Sequence, residues 1–314
     1  MRIAIIGRTN ILLETAKFLN ESGFEIPLIV TSSNSDYDNL QQDSFKNFAA
    51  SINASYINTT NLTSKQVESK IIESKCEYAI SMNWQTLIKK STIELFNSGI
   101  LNIHPGDLPR YRGNATVNWA ILNNENQIGL TLHFMNEKLD EGPIVNKLFY
   151  KLDDKSYVGD VYDWIQKSCP SFVFESLKGL ENKSIKIINQ FEISTKSMRC
   201  YPRKPEDSQI NWNNSNKDIF RLIRASSKPF LGAYSFLSPS NEKVIIWKAI
   251  EITCDLDYYA IPGQVCYTDK NYPVISTQNG FIKILDAQIG DLSSENSLKM
   301  IASSMRNRLV QKFN

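Results

Sequence analysis

Short apolar runs alternate with amphipathic runs over roughly the first 190 residues, the spacing expected of strands and helices in turn. The run RIAIIG predicts a strand from Arg2, and ILLETAKFLNESG predicts a helix that ends at Gly23. EIPLIVTS and YAISMN predict two further strands. Because strands that alternate with helices are typical of βαβ units, we expect a Rossmann-like α/β fold with a mostly parallel sheet.

The middle of the chain continues this pattern and then adds a pair of adjacent strands. A helix pattern closed by a glycine precedes ILNIH, which predicts a strand at 100–104. In residues 127–135 apolar and polar positions alternate, and a partner run follows at 143–150, so we expect strand, loop and strand. Residues 156–180 have the pattern of one long helix, with Pro170 as a candidate break.

The pattern changes beyond about residue 195, where a polar, proline-containing segment is followed by strand patterns at hairpin spacing. These strand patterns are KVIIWKAIEI, GQVCYT, YPVISTQ and FIKILDAQ. We therefore expect two domains, a catalytic α/β domain over residues 1–195 and a smaller OB-like β module over residues 196–314.

Composition describes an ordinary globular chain. The 314 residues are 42% hydrophobic. The 35 basic and 33 acidic residues give a net charge of +2, which lacks the large positive excess typical of proteins that bind nucleic acid or anionic membranes. The five cysteines form no CxxC pair, so neither a disulfide framework nor a zinc knuckle is indicated. No apolar run approaches the ~18 residues of a membrane span, and Met1 leads directly into a strand pattern. We expect a cytoplasmic protein without a membrane partner.

Asn102 and His104 lie two positions apart at the end of the strand predicted from ILNIH. Side chains at this spacing share one face of a strand, and open α/β sheets bind ligands at the carboxyl ends of their strands. Asp140, in the loop between the two adjacent strands, supplies a carboxylate. An amide donor, an imidazole and a carboxylate together suit acyl transfer to an amine. On these residues alone, a structural role for the histidine stays open.

Other chemistries are weakly supported. IIGRTN has one glycine where the dinucleotide fingerprint needs three, and no serine lies in a G-x-S-x-G turn. The two histidines, His104 and His133, lack a metal-binding spacing, so no metal is predicted. The turn from Gly7 to Asn10 either holds an anion through its backbone N–H groups or is a plain turn.

Two longer segments together resemble the folate-dependent formyltransferase family. They are NIHPGDLPRYRG and TLHFMNEKLDEG, where the family has N-x-H-x-S-L-L-P-x-(Y/F/W)-(R/K)-G and a later T-x-H-x-(M/V)-x-x-x-x-D-x-G loop. The resemblance implies formyl transfer from 10-formyltetrahydrofolate to an amine, with Asn102, His104 and Asp140 as catalytic residues. Gly106 and Asp107 depart from the pattern, because they stand where the family usually has a small residue and a leucine.

The resemblance also implies which residues bind the two substrates. The pterin ring of the folate is expected beside the strand end at Met82, Asn83 and Trp84 and beside the loop residues Glu141 and Gly142. The acceptor-side residues that we expect are Gly7, Arg8, Thr9, Asn10, Arg110, Arg112 and Trp119. His133, on an alternating strand, is interpreted as structural.

Two branches of the family bracket the acceptor. Methionyl-tRNA formyltransferases carry a basic insertion near the second strand, whereas the corresponding segment here has Asp36, Asp38 and Asp43 against Lys46. RKPEDSQINW and IFRLIRASSKPFLGAYSF resemble the UDP-4-amino-arabinose formyltransferase branch. We therefore expect a nucleotide-linked amino sugar as acceptor, dTDP- or UDP-linked and preferably a 4-amino sugar, for surface polysaccharides such as lipopolysaccharide O-antigen, and no nucleic acid partner.

Several alternatives stay open. The chain could be a methionyl-tRNA formyltransferase, or a non-catalytic regulator that binds folate or nucleotide. Hydrolysis of formyltetrahydrofolate is a further rival. Basic residues are frequent at 199–228. They either bind the diphosphate of a sugar nucleotide or form a solvent-exposed face of a helix. A homodimer stays open as the assembly of the chain.

Overall fold

The computed structural model describes residues 1–32, 43–252 and 258–312. The chain forms two compact units. Unit 1 comprises Met1–Thr116, Gln127–Lys151 and Tyr162–Tyr201, and unit 2 comprises Val117–Asn126, Leu152–Val161 and Pro202–Asn314. Two short segments, 117–126 and 152–161, therefore pack with the C-terminal residues. A domain boundary at residue 195 stays a prediction.

Unit 1 is built on a seven-stranded sheet in the order β3-β2-β1-β4-β5-β7-β8. Its strands are β1 (Arg2–Gly7), β2 (Glu25–Thr31), β3 (Ser55–Asn58), β4 (Tyr78–Met82), β5 (Ile100–His104), β7 (Gln127–Phe134) and β8 (Ile144–Lys151). Strands β1 to β5 pair in parallel, and β7 and β8 add antiparallel pairs at one edge. The mostly parallel α/β sheet expected from the sequence is confirmed. A short parallel pair joins β6 (Arg112–Gly113) to β9 (Arg199–Cys200).

The helices are α1 (Asn10–Glu21), α2 (Ser44–Ser51), α3 (Lys65–Ser74), α4 (Lys90–Ile93), α5 (Thr116–Leu122), α6 (Val158–Glu181), α7 (Asn216–Ser226) and α8 (Ser294–Ala302). Helix α6 continues through Pro170, so the candidate break is absent there. Helix α4 covers only part of the pattern at 91–99, which ends in turns. None of the helices among the described residues is long and apolar enough to cross a membrane.

Unit 2 contains a six-stranded antiparallel sheet in the order β12-β13-β14-β11-β10-β15. Its strands are β10 (Ala233–Ser238), β11 (Glu242–Ile252), β12 (Val265–Asp269), β13 (Tyr272–Ser276), β14 (Phe281–Ile289) and β15 (Arg308–Val310). A bridge between Gln264 and Arg308 joins the two outer strands, so the sheet closes on itself. Ile219 and Ile223 of α7 contribute to the apolar core of this unit. The expected C-terminal β module is confirmed.

The arrangement of unit 1 brings three strand ends to one edge of the sheet. Strand β1 lies between β2 and β4, and β4 lies between β1 and β5, all in parallel. Gly7, Met82 and His104, the last residues of β1, β4 and β5, therefore lie at the same carboxyl edge. This edge is where a parallel sheet places a ligand site.

Candidate active site

The pairing of β5 with β7 sets the framework of the candidate site. In this antiparallel pair Asn102 lies opposite His133, and His104 lies opposite Thr131. Directly paired residues point to the same face, so all four side chains share one side of the sheet. His104 and His133 are buried, and Asn102 is half-buried.

His104 is held by a backbone carbonyl on one ring nitrogen and faces a carboxylate with the other. Its Nε2 lies 2.6 Å from the carbonyl oxygen of Tyr111, and its Nδ1 lies 3.6 Å from Oδ2 of Asp140. Because a carbonyl oxygen only accepts, Nε2 carries the hydrogen. Burial lowers the pKa of His104 and outweighs Asp140 and the Tyr111 carbonyl, which raise it. The resting ring is neutral, with the lone pair of Nδ1 towards Asp140.

Asp140 is fixed from its side chain and from its backbone. The backbone N–H of Gly113 donates to Oδ2 of Asp140 at 2.8 Å. Gln190 Nε2 donates to the carbonyl oxygens of Asp140 and Gly142, each at 2.8 Å. Burial raises the pKa of Asp140, but the positive charge that His104 and His133 carry when they are protonated, together with the Gly113 N–H, holds it well below its usual range. The carboxyl group of Asp140 therefore stays ionised and stabilises a positive charge on either imidazole.

His133 belongs to the same cluster, although the sequence indicated only a structural role. Its Nδ1 donates to the carbonyl oxygen of Phe134 at 2.8 Å. The lone pair of Nε2 therefore accepts from Nδ2 of Asn102, 3.2 Å away, and lies 3.7 Å from Oδ1 of Asp140. This contact orients the Asn102 amide and leaves its second N–H for another oxygen.

The loop after Asp140 is braced by Arg112 and tolerates no side chain at Gly142. A Cβ at Gly142 would lie 1.8 Å from the carbonyl oxygen of Phe134. Arg112 donates to Oε1 of Gln190 through Nε and Nη2, at 3.1 and 2.7 Å, and its Nη1 lies 3.1 Å from Oε1 of Glu141. These contacts give Arg112 and Glu141 a structural explanation, and their binding roles stay predictions.

The end of β4 has polar groups whose hydrogen-bonding capacity is unused within the described part of the chain. The hydroxyl of Ser81 and the indole Nε1 of Trp84 are buried there without a partner. Asn83 has a φ of +55°, so the chain turns sharply between Met82 and Trp84. Buried donors without partners are costly, and a bound molecule with acceptors would satisfy them.

The turn after β1 is explained by packing. A Cβ at Gly7 would lie 2.3 Å from the carbonyl oxygen of Met82, so only glycine fits beside β4. Thr9 caps α1, with its hydroxyl accepting from the N–H of Leu12 at 3.2 Å, and Asn10 begins the helix. Arg8 follows Gly7 with its Nε buried. An anion-binding role for this turn stays a prediction.

Two expected acceptor-side residues, Arg110 and Trp119, take part in contacts between a guanidinium group and an aromatic ring. Arg110 stacks on the ring of Tyr111, with its guanidinium carbon 5.3 Å from the ring centre. Trp119 belongs to unit 2, where the Arg203 guanidinium carbon lies 5.8 Å from its ring centre and a cavity of about 490 Å³ adjoins both.

Within the described ranges, no group of three or more His, Cys, Asp or Glu could hold a metal ion. Asp36 and Asp38 lie outside those ranges.

Sequence reasoning missed Gln190 and Tyr111 as parts of the site. Tyr111 acts through its carbonyl, which every residue has, and Gln190 lies in a short 3-10 helix some distance along the chain, so neither carried a signal. His133 did carry a sequence signal. Thr131 and His133 alternate with apolar residues on the predicted strand, which places both side chains on one face of it.

Comparisons with known proteins match both parts of the chain to the domains of one family. Residues 1–177 match the formyl transferase domain, and residues 203–303 match the formyl transferase C-terminal domain. The chain is 31% identical over 215 residues, 68% of its length, to the bifunctional polymyxin resistance protein ArnA of Wigglesworthia glossinidia brevipalpis, of which it spans 31%.

Two further relatives are similar over most of their length. The methionyl-tRNA formyltransferase of Thermodesulfovibrio yellowstonii is 28% identical over 287 residues, 90% of this chain and 89% of that protein. The fold is similar to that of WlaRD, a sugar 3N-formyl transferase crystallised in the presence of dTDP and 5-N-formyl-THF, with a TM-score of 0.64 and 24% identity over 93% of this chain and 98% of WlaRD. With more than half of its length matched by the formyl transferase domain, the chain belongs to the formyl transferase family.

Proposed function

We propose that this protein is an N-formyltransferase that moves a formyl group from 10-formyltetrahydrofolate to the amine of a nucleotide-linked amino sugar, for surface polysaccharide synthesis. The observation that carries the proposal is the cluster of Asn102, His104 and Asp140. A neutral buried imidazole lies 3.6 Å from a carboxylate, with an oriented amide on the next position of the same strand face. This arrangement suits an attack by an amine on an acyl carbon without a covalent enzyme intermediate.

Each side chain has a defined part in the proposed reaction. The second N–H of Asn102 donates to the oxygen that becomes negative as the amine attacks. His104 takes up the proton of the amine at Nδ1, and the Asp140 carboxylate stabilises the resulting imidazolium. The imidazolium returns this proton to N10 of the folate as the bond between N10 and the formyl carbon breaks, so that tetrahydrofolate and the formamide leave and His104 is neutral again. His133 holds the Asn102 amide in place. A 10-formyl folate supplies the activated formyl group.

The end of β4 fits a folate ring. Pterin edges carry both donors and acceptors. The Trp84 Nε1 and the Ser81 hydroxyl, which have no partner among the described residues, offer hydrogen bonds to them. Trp84 also packs against the buried apolar cluster that includes Ile6 and Ile100, which holds its ring in place. Met82 and Asn83 lie at the same strand end, whereas Glu141 and Gly142 would contribute from the loop across the site.

The amino-sugar acceptor is favoured over tRNA by charge and by one relative. A tRNA-binding protein neutralises several phosphates, whereas this chain has a net charge of only +2. WlaRD, with the same fold over nearly its full length, is a sugar 3N-formyl transferase. A methionyl-tRNA acceptor stays the second candidate, because the tRNA formyltransferase relative also aligns over 90% of this chain.

The test is a competition for the formyl group. With the donor fixed, methionyl-tRNA competes with a panel of dTDP-, UDP- and GDP-linked 3-amino and 4-amino sugars. We expect formylation of a dTDP- or UDP-linked 4-amino sugar in preference to the tRNA, with a weak dependence on salt. Preferential formylation of the tRNA would overturn the sugar assignment, and release of tetrahydrofolate without any formylated acceptor would favour a hydrolase.

A further inference from the structure

The loop after β5 crosses the sheet over one row of three residues. His104 on β5 pairs with Thr131 on β7, and Thr131 pairs with Lys147 on β8. Because residues paired across strands point to the same face, the three side chains form a row perpendicular to the strands. The loop at 105–111 runs across this row.

Each member of the row holds the loop at a different point. Thr131 donates through Oγ1 to the carbonyl oxygen of Gly106 at 2.6 Å. Lys147 Nζ donates to Oδ1 of Asp107 at 2.7 Å and also to the carbonyl oxygen of Leu108. His104 Nε2 donates to the carbonyl oxygen of Tyr111, as described above. The far end of the row is therefore an ion pair.

Two glycines show how closely the loop lies on the sheet. A Cβ at Gly106 would lie 2.5 Å from both Nε2 of His104 and the carbonyl oxygen of Tyr111. A Cβ at Gly129, on β7, would lie 2.9 Å from the Cα of Asp107. The departure from the family pattern at Gly106 and Asp107 therefore coincides with the places where the loop is fastened.

We propose that Lys147, paired with Asp107, is a positioning residue for His104. By holding the loop at Asp107 and Leu108, Lys147 fixes the Tyr111 carbonyl three residues further on, and that carbonyl fixes the hydrogen of His104 on Nε2. Nδ1 of His104, the ring nitrogen that accepts the proton, then faces Asp140. The effect on rate rests on the proposed formyl transfer, but the effect on the ring itself does not.

The ring can be observed directly, because the chain has only two histidines. His104 donates to a carbonyl through Nε2 and His133 through Nδ1, so the two rings are opposite tautomers. Imidazole ¹⁵N NMR of the free protein distinguishes the two, and His133→Gln assigns them. Lys147→Met is the test variant. Lys283→Met is the matched control, since Lys283 Nζ forms an ion pair of the same 2.7 Å length with Asp269 in unit 2.

We expect Lys147→Met to move the His104 nitrogen signals towards a mixture of tautomers and to leave His133 unchanged, whereas Lys283→Met changes neither. In the transfer assay kcat falls about tenfold while the KM for the formyl donor changes less than about threefold, as for a small misplacement of a reacting group. Lys147→Arg, which keeps the positive charge, restores part of the His104 nitrogen signals and part of kcat. Asp107→Asn repeats the result if Lys147→Met does not fold.

An unchanged His104 spectrum in a folded Lys147→Met or Asp107→Asn variant would overturn the proposal, whatever the acceptor proves to be. A loss of thermal stability equal to that of Lys283→Met, with normal kcat and normal ring signals, would show that the pair is structural only. The NMR arm needs neither donor nor acceptor, so a failure of the proposed function leaves it intact.

Discussion

The ends of β4 and β5 are neighbours in the sheet but differ in how their polar groups are satisfied. At the end of β5, the chain itself supplies a hydrogen-bond partner for each of the polar side chains His104, Thr131, Asp140 and Gln190. At the end of β4, buried polar atoms of Ser81 and Trp84 have no partner in the described ranges. This difference is what the proposed function requires, because reacting groups need preorganised geometry whereas a ligand-binding edge needs unused donors and acceptors.

The largest expected effect is at the end of β5. His104→Ala should lower kcat by roughly 10²–10⁴ through loss of proton transfer, and Asn102→Ala by about 10²–10³ through loss of an oxyanion donor. Steady-state release of tetrahydrofolate with acceptor measures both, and circular dichroism confirms folding. Near-wild-type turnover in folded His104→Ala and Asn102→Ala variants would make the cluster structural.

The end of β4 is tested by a matched pair of tryptophans. Trp84→Phe removes an indole N–H that has no partner in the described part of the chain, whereas Trp212→Phe removes one that donates to Ser235 Oγ at 3.0 Å. Trp212→Phe should cost about 1 kcal/mol more in the free energy of unfolding. Trp84→Phe should instead raise the Kd for tetrahydrofolate about tenfold, by calorimetry, with little change in kcat. Equal stability losses and unchanged folate affinity would remove the distinction between the two strand ends.

The sequence predicted the elements because they depend on local patterns. The strand ILNIH placed Asn102 and His104 on one face at the end of β5, and the structure brings Asp140 within 3.6 Å of His104. The catalytic roles of these residues stay predictions. Alternating strands and helices were sufficient for the mostly parallel sheet.

The supporting contacts could not be predicted, because they depend on register between strands distant in sequence. Lys147 reaches Asp107 only because β5, β7 and β8 align in one row, and Gln190 reaches Asp140 from a segment without a distinctive pattern. Nor could the sequence predict that Trp119 belongs to unit 2. Its helix, α5, begins at the last residue of a unit 1 segment, and only packing assigns the rest of the helix to unit 2.

The smallest expected effect is a pH dependence of stability. The unfolded imidazole takes up a proton near pH 6.5, whereas burial lowers the pKa of His104, so acid favours the unfolded chain below that pH. The pKa of Asp140 is held below its usual range, so its contribution is lost only in stronger acid. Denaturant unfolding between pH 7 and 5 should show a shallower acid loss for His104→Gln than for the wild type. Parallel curves would mean that His104 is not the buried neutral group.

The central claim, formyl transfer at this cluster, is tested most directly by following a ¹³C-labelled formyl group from 10-formyltetrahydrofolate to a nucleotide-linked amino sugar. We predict that the wild type yields the labelled formamide of a dTDP- or UDP-linked 4-amino sugar, and that His104→Ala forms it at least about 100-fold more slowly. Labelled formate without formamide, or equal formamide from both proteins, would contradict the account.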